Sequence, residues 1–401
     1  MAEEHQTHTD SIIGFRRLVG QKRLRNHIYQ LVQTQRYGHA YLISGQAGTG
    51  KTALALAFAE AINGVDHLGI PKEWATSHRR SWYFHPDIHV FMPLPSNVSI
   101  DELKARLELL SNDPYEIVDF SLRPSLTEQS SIKNRRAFYS VEFFNQHIRK
   151  VASLKPNEGK RTVIIISDVD KMRSEVSNAF LKLLEEPADR VMFILTTDHV
   201  NTVLPTILSR CQILSAQPLD AHEISEGLQT YDQINKENAE FLSKIAHGNY
   251  SFTRFFEPES LQDQREEIID FLRMSYSVDV GKILETAQKW HSDHNKESQL
   301  TILDMIESFL RDIALFSAGA DASLMINNDR MEVIQNFCSH LKYARIEEML
   351  QTVEEARGLL KQNIQTKLVF TVMANRFSFL MRGKPPVVPS DKAWMHMPAF
   401  S

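Results

Sequence analysis

A glycine-rich octapeptide that ends in a lysine and a hydroxyl side chain lies early in the chain. It satisfies the pattern G-x-x-x-x-G-K-[ST] and reads Gly45-Gln46-Ala47-Gly48-Thr49-Gly50-Lys51-Thr52. In such a loop, consecutive backbone N–H groups curl around phosphate oxygens, the lysine reaches the β- and γ-phosphates, and the hydroxyl binds Mg²⁺. The sequence therefore predicts that Lys51 and Thr52 hold the phosphates and the Mg²⁺ of a nucleoside triphosphate.

The segments around the loop match the strand–loop–helix context that this pattern needs. A short apolar run, Tyr41 to Ser44, precedes the loop, and an alanine- and leucine-rich helix, Ala53 to Ile62, follows it. Two later apolar runs, at residues 163–166 and 191–196, are typical of strands buried on both faces of a parallel sheet. Since helical segments alternate with these strands, we expect an α/β P-loop domain with helices on both faces of a parallel sheet.

The rest of the chain departs from this alternation. Residues 93–137 are polar and show little periodicity apart from a short helix, Leu103 to Leu110, and a loop of this length is typical of an insertion. From about residue 219, helical segments dominate up to residue 382. We therefore expect an all-helical part after the sheet domain.

Composition limits the class of protein. With 401 residues, 42% of them hydrophobic and 24% charged, the chain is typical of a globular protein with two or three domains. Its net charge of −5 argues against a broadly basic nucleic-acid binder. No segment reaches the roughly 18 apolar residues of a membrane span, and residues 1–10 are polar. We expect a cytoplasmic protein with no membrane partner.

Candidate metal ligands are sparse. The two cysteines, Cys211 and Cys338, are too few for a disulfide framework or for a thiolate zinc site. Histidines in the irregular stretch 63–89 could suggest a metal site, but they lack a tight paired spacing and are also explained as surface or hydrogen-bonded residues. These histidines are His67, His78, His85 and His89.

Five short signatures occur in the same order as in one known family. They are Val19-Gly20-Gln21, His39-Ala40-Tyr41-Leu42, Asp170-Lys171-Met172, Asn178-Ala179-Phe180-Leu181-Lys182-Leu183-Leu184-Glu185-Glu186-Pro187, and Thr206-Ile207-Leu208-Ser209-Arg210-Cys211. Together they resemble the bacterial clamp-loader AAA+ family, the γ/τ and δ′ subunits of DNA polymerase III. The resemblance covers residues 15–216 well, and residues 363–368 are similar to a collar-domain stretch of δ′ subunits.

The resemblance implies an organisation and a set of partners. Residues 1–216 would form the AAA+ nucleotide-binding domain, residues 217–275 a helical lid, residues 276–384 a helical collar that closes a hetero-pentamer, and residues 385–401 a flexible tail. The partners would be γ/τ and δ subunits and, through them, the sliding clamp and primer–template DNA. ATP or ADP with Mg²⁺ would be the cofactor. Because the family's four zinc-binding cysteines are missing after the P-loop helix, no zinc is expected.

The strand end that holds Mg²⁺ in active members departs from the family pattern. Active members read D-E-x-x there, whereas this chain has Ser167 in the aspartate position and Asp168 in the position of the water-activating glutamate. A neutral serine cannot supply the charge that holds Mg²⁺, and aspartate is one methylene shorter than glutamate. A shift of one residue would make Asp168 the metal partner instead, but it would also exchange the faces of the strand.

Other positions also bear on ATP cleavage. Thr196 or Thr197, at the tip of the next strand, can serve as the polar sensor of the γ-phosphate. Ser251 stands where motor subunits carry a sensor arginine, and Arg254, one turn later, is either its substitute or a solvated surface residue. Arg210 is intact, and the resemblance implies that it reaches the triphosphate held by a neighbouring subunit.

These departures favour a δ′-like subunit within the family. We expect a stator that binds ATP through its P-loop, cleaves it weakly or not at all, and donates Arg210 to a neighbouring motor subunit. The alternative is a γ/τ-like motor ATPase. It is favoured by Lys51, Thr52, Asp168 and Arg210, and Ser167 and Ser251 argue against it. A third hypothesis, an AAA+ remodeller outside replication, is disfavoured by the pairing of Leu-Leu-Glu-Glu-Pro with Ser-Arg-Cys.

Overall fold

The computed structural model describes residues 17–68, 76–96, 98–123, 125–126, 136–256, 261–294 and 296–385. These residues form two compact units that divide between Arg254 and Phe255. The predicted tail lies outside the described residues from residue 386 onward, and so does the polar leader that precedes residue 17.

The first unit is built on a five-stranded parallel sheet in the order β2-β3-β4-β1-β5. The strands are β1 (Ala40–Ser44), β2 (Ile88–Phe91), β3 (Thr162–Ile166), β4 (Val191–Thr197) and β5 (Gln212–Ser215). Every residue of β1, β3 and β4 is buried, as expected for strands that are covered on both faces. The strands predicted from apolar runs are therefore confirmed.

Helices lie before, between and after these strands in the first unit. They are α1 (Lys22–Thr34), α2 (Lys51–Asn63), α3 (Ile100–Asn112), α4 (Val141–Phe143, continued by the π-helical turn Phe144–Ile148 and by Arg149–Ala152), α5 (Ser174–Glu185), α6 (Pro205–Leu208), α7 (Ala221–Tyr231) and α8 (Lys236–Ile245). The helix predicted inside the insertion is α3. It begins after Ser99, whose hydroxyl accepts the backbone N–H of Glu102 at 3.0 Å.

Helices cover both faces of the sheet, because alternate residues of a strand point to opposite sides. On one face, Leu42 and Phe193 pack in the same cluster as Phe180 of α5, and the Phe180 and Phe193 rings meet edge to face at 5.2 Å. On the other face, the Phe58 ring of α2 meets the Tyr41 ring at 5.2 Å. The predicted fold class is therefore confirmed.

A buried carboxylate organises the irregular stretch after α2. Glu60 is 1% exposed and accepts hydrogen bonds from the backbone N–H groups of Leu68 and Trp82, each at 2.7 Å. Nδ1 of His67 lies 3.1 Å from the same carboxylate, so this histidine has a structural partner. Within the described ranges, His, Cys, Asp and Glu side chains form no group of three or more that could hold a metal ion.

The second unit consists of packed helices. They are α9 (Leu261–Ser277), α10 (Val280–Asp293), α11 (Lys296–Ser317), α12 (Met331–His340), α13 (Ile346–Lys361) and α14 (Thr366–Leu380). At its centre the Trp290 ring lies 5.0 Å from the Phe271 ring and 4.8 Å from the Phe370 ring. Because Phe271 of α9 is part of this core, α9 lies in the second unit, although the sequence analysis assigned residues 261–275 to the lid. Among the helices that the structure describes, none is both long and apolar enough to span a bilayer.

Candidate nucleotide-binding site

The glycine-rich loop joins β1 to α2 at the carboxyl edge of the sheet. Gly48 and Gly50 have φ angles of +68° and +88°, in the left-handed region that glycine adopts without strain. At Gly45 the chain passes so close to Ala216 that a Cβ would stand 2.5 Å from its backbone oxygen. The first N–H groups of an α-helix have no helical acceptor and can bind an anion. The loop therefore has the backbone that a phosphate cradle needs.

Lys51 is the first residue of α2, and only 6% of its side chain is exposed. Its Nζ lies 2.6 Å from Oδ1 of Asp198 and donates to the backbone oxygen of Gln46 at 2.5 Å. Asp198 directly follows β4, so the ion pair connects the start of α2 to the end of a neighbouring strand. The lysine charge is thus held inside the loop and balanced by a carboxylate that the sequence analysis did not identify.

The other predicted residues of the loop differ in how much of each is exposed to solvent. Gln46 and Ala47 are exposed at the tip of the loop. Thr49 is buried, and its Oγ1 donates to the backbone oxygen of Gln46 at 2.9 Å. Thr52, the predicted Mg²⁺ ligand, is half-buried in the first turn of α2. The hydroxyl of Thr49 therefore stabilises the loop itself.

Ser167 follows β3 and is bonded to the neighbouring strand. Its Oγ donates to the backbone oxygen of Phe91 in β2 at 3.2 Å. The hydroxyl of Tyr139 donates to the backbone oxygens of Ser167 and Phe91, at 2.6 and 3.0 Å. The hydroxyl of Ser167 thus joins the end of β3 to β2, and its backbone oxygen is bonded to Tyr139.

Asp168 adopts a left-handed conformation with φ +49°. Its Oδ2 lies 3.2 Å from Nζ of Lys171, and Lys171 also forms an ion pair with Asp119 of the insertion. Burial raises the pKa of Asp168 to about 6, although Lys171 opposes the shift, and the nearby carboxylates of Asp119, Asp198 and Asp170 increase it further. The carboxylate in the position of the water-activating glutamate is therefore already paired within the chain.

We expect Asp168→Asn to remove a pH dependence from the stability of the chain. Because the pKa in the folded state lies above the unfolded value near 4, the folded state holds this proton more tightly. The group therefore stabilises the fold at low pH, and this contribution is lost as the pH rises from about 4 to about 6. The free energy of unfolding of the wild type minus that of the variant should fall over this range, as measured by urea unfolding.

Asp189→Asn is the matched control for this measurement, because the Asp189 side chain is 86% exposed. The control should leave the pH profile of the unfolding free energy unchanged. A difference between wild type and Asp168→Asn that stays constant or rises between about pH 4 and 6 would contradict the raised pKa.

Thr196 and Thr197 are both buried at the end of β4. Oγ1 of Thr196 accepts the backbone N–H of Asp168 at 3.3 Å. Oγ1 of Thr197 donates to Oδ1 of Asp170 at 2.6 Å, and the backbone oxygen of Thr197 accepts the N–H of Gly45 at 3.3 Å. The two threonines therefore connect the ends of β3 and β4 to each other and to the glycine-rich loop.

Arg210 lies at the opposite edge of the sheet from the glycine-rich loop. It lies two residues before the amino end of β5, whereas the loop follows the carboxyl end of the parallel neighbour β1, and four strand residues span roughly 13 Å. The guanidinium, 34% exposed, donates to Oε1 of Glu185 at 2.7 Å and to the backbone oxygen of Thr206 at 2.8 Å. Arg210 is therefore positioned at the surface, away from the loop of its own chain.

The sequence analysis considered Arg254 as a substitute for the sensor arginine or as a solvated surface residue, but the structure places it in a network of ion pairs. Only 13% of its side chain is exposed, and it forms ion pairs with Asp113 and Asp232, each at 2.8 Å. Oγ of Ser251 donates to the backbone oxygen of Tyr115 at 2.9 Å. Both residues thus attach the segment after α8 to the insertion, and Arg254 is a structural ion-pair partner.

Sequence reasoning missed Tyr115 and Asn249, which lie against the glycines of the loop. A Cβ at Gly50 would stand 3.0 Å from Cε1 of Tyr115, and a Cβ at Gly48 would stand 1.5 Å from Oδ1 of Asn249. The backbone N–H of Tyr250 also donates to the oxygen of Gly48 at 3.0 Å. The only signal in the sequence was the pair of glycines, which indicates that other residues can approach the backbone closely. Nothing in the sequence near residue 115 or 249 predicts that these two residues do so.

Two protein-family models match the chain. The model described as DNA polymerase III, delta subunit, matches residues 20–119 and 126–220. The model described as DNA polymerase III, delta subunit, C terminal, matches residues 259–378. Together the two matches extend over both compact units.

The chain is also similar to individual proteins and to a solved structure. The chain is 23% identical over 349 residues to DNA polymerase III subunit delta′ of Bacillus subtilis, which covers 86% of this chain and 93% of that protein. It is 26% identical over 242 residues to subunit tau/gamma of Haemophilus influenzae, which covers 59% of this chain and only 29% of that protein. A solved structure of a gamma-subunit-related protein from Thermotoga maritima aligns with a TM-score of 0.40 at 15% identity, over 88% of this chain and 99% of that one.

Proposed function

The chain belongs to the DNA polymerase III delta subunit family, and from this premise we propose that it is a δ′-like subunit of the clamp loader, which helps to load the sliding clamp onto primed DNA. The match to the delta′ relative extends along nearly the full length of both proteins. The match to the tau/gamma relative covers less than a third of that protein. Both family models that match the chain describe delta subunits, which supports the δ′ assignment over the γ/τ-like motor.

We infer that the glycine-rich loop binds the phosphates of ATP or ADP. The positive φ angles of Gly48 and Gly50 and the buried cation of Lys51 fit a phosphate group. On binding, Lys51 would exchange Asp198 for the β- and γ-phosphates, and Thr52 would be the protein ligand of the accompanying Mg²⁺. Mg²⁺ needs few protein ligands when phosphates and waters complete its shell.

Weak hydrolysis is supported by one observation, the residues at the end of β3. Ser167 carries no charge, and its hydroxyl donates to Phe91. Asp168 is one methylene shorter than glutamate, and its Oδ2 lies 3.2 Å from Nζ of Lys171, so the carboxylate would have to leave this ion pair to orient an attacking water. The chain would therefore retain nucleotide without turning it over, as expected of a stator.

The trans role of Arg210 is supported by its place in the sheet. An arginine at the amino edge cannot serve the loop at the carboxyl edge of the same domain, but it can reach a nucleotide held by a neighbouring γ/τ subunit. Glu185 would keep the guanidinium at the surface until a triphosphate replaces it. In that arrangement δ and γ/τ subunits are the partners, and the sliding clamp and primer–template DNA are reached through the assembly.

An ATP turnover assay on the purified chain tests this proposal. We expect turnover far below that of a motor ATPase, together with co-purification of γ/τ and δ homologues. Turnover at ordinary AAA+ rates that Lys51→Ala abolishes would favour the γ/τ-like motor instead. Failure to associate with clamp-loader subunits would favour a remodeller outside replication.

A further inference from the structure

We propose that Tyr115, carried by the insertion, fills the nucleoside side of the glycine-rich loop, so that Tyr115 and the base of a nucleotide exclude each other. The proposal rests on the proposed phosphate-binding role of the loop. With Tyr115 in this position, the loop would accept an inorganic polyphosphate but not the base of a nucleotide. The affinity for nucleotide then depends on whether the insertion moves away from the loop. Tyr115 is the residue that discriminates between nucleotide and polyphosphate.

The position of Tyr115 is set by its contact with Gly50. Tyr115 is 4% exposed, and its Cε1 and hydroxyl oxygen would lie 3.0 and 3.1 Å from a Cβ at Gly50. Gly50 directly precedes Lys51, so this contact borders the phosphate-binding turn. A nucleotide whose phosphates lie on the first turn of α2 must extend its sugar and base past the walls of this loop. The Tyr115 ring occupies one of those walls.

The Tyr115 side chain contacts a backbone N–H group and an aromatic ring, which are two groups that could also contact a purine base. Its hydroxyl oxygen accepts the buried backbone N–H of Val19 at 2.7 Å. Its ring meets the Tyr250 ring at 4.7 Å. A purine likewise offers a flat ring for aromatic contact and a ring nitrogen that can accept a backbone N–H. Tyr115 therefore satisfies, within the chain, the contacts that this pocket could give to a base.

Polar contacts fasten the insertion in this position. Asp113 forms an ion pair with Arg254 at 2.8 Å, and Arg254 is shared with Asp232 near the end of α7. The backbone oxygen of Tyr115 accepts the hydroxyl of Ser251 at 2.9 Å. Because the Arg254 side chain is only 13% exposed, withdrawing Asp113 removes one of the two carboxylates that compensate a largely buried charge. Withdrawal of Tyr115 is therefore opposed by a specific set of bonds.

The phosphate side of the loop is less covered than the base side. Gln46 and Ala47 at the loop tip are exposed, and Asp198, the partner of Lys51, is 35% exposed. A small anion can therefore reach Lys51 from this side without displacing the insertion. The position of Tyr115 should therefore affect the affinity for nucleotide but not the affinity for a small anion, since only the nucleotide needs the space that Tyr115 occupies.

Calorimetric titration of the full chain with ADP and with inorganic tripolyphosphate tests the proposal. Tyr115→Ala should bind ADP about tenfold more tightly than the wild type, because the binding-competent fraction rises. The affinity for tripolyphosphate should change by less than about twofold. Asp113→Asn, which keeps the ring but weakens its attachment, should increase ADP affinity in the same direction. Tyr343→Ala, at a side chain that is 84% exposed, is the control.

The outcomes separate this inference from the proposed function. Equal and measurable ADP affinity in the wild type and Tyr115→Ala overturns the inference and leaves phosphate binding intact. Binding of neither ligand by either protein overturns the nucleotide-binding role and the inference with it. If Tyr115→Ala does not fold, Asp113→Asn decides, and an ADP affinity identical to that of the wild type counts against the proposal.

Discussion

Replacing Arg210 with alanine is expected to lower ATP turnover at the adjacent site of the assembled clamp loader by about 10³-fold or more. The guanidinium would stabilise charge on the transferred phosphoryl group. The fold and the nucleotide affinity of the chain itself should not change, because Arg210 lies away from its own loop and its guanidinium bonds to Glu185, Thr206 and Ser209.

The measurement is steady-state ATP turnover and the rate of clamp loading on primed DNA by the reconstituted complex. Arg79→Ala is the matched control, since Arg79 also forms a surface ion pair with a glutamate, Glu158, in the same unit. The control should have turnover equal to that of the wild type. Unchanged turnover and loading with Arg210→Ala would exclude a trans role for this residue.

Replacing Lys51 with alanine is expected to weaken the binding of ATP and of tripolyphosphate to the chain about 100-fold. The variant loses a buried cation and leaves Asp198 facing the phosphates without a counter-charge. Truncation of one member of such a charged contact costs about 3 kcal/mol, which corresponds to this factor. Equilibrium titration of both ligands measures it.

Lys51→Arg and Lys104→Ala complete this experiment. Lys51→Arg keeps the charge but changes its shape, and it should recover only part of the affinity. Lys104 is an exposed residue of α3, so Lys104→Ala should bind like the wild type. Affinities for ATP and tripolyphosphate that are unaffected by Lys51→Ala would show that the loop does not hold phosphate.

Local patterns predicted the elements well, because each depends on residues that are close in sequence. The uninterrupted run in β3 and the glycines before Lys51 specify a buried strand and a tight turn within a few residues. The helical segments predicted between about residues 219 and 382 are present as α7 to α14, since apolar residues recur at helical spacing. The limit between the two units falls before residue 275, because the Phe271 ring packs at 6.3 Å on the ring of Phe370, which lies far along the chain.

The misjudged side chains are those whose partners lie far along the chain. Arg254 was considered a sensor substitute or a solvated residue, yet it pairs with Asp113, 141 residues before it. The insertion gave no periodic signal at Tyr115, although this residue packs on Gly50. The charge of Lys51 is balanced by Asp198, which stands at the end of another strand.

The sequence alone determined the family, the parallel sheet, the glycine-rich loop and the uncharged residue after β3, since short-range backbone preferences and side-chain chemistry encode them. Only the tertiary structure decided which groups surround that loop and at which edge of the sheet Arg210 stands. The physical reason is that strand order and the docking of an insertion depend on the summed burial of distant segments. That sum is not visible in any one stretch of the chain.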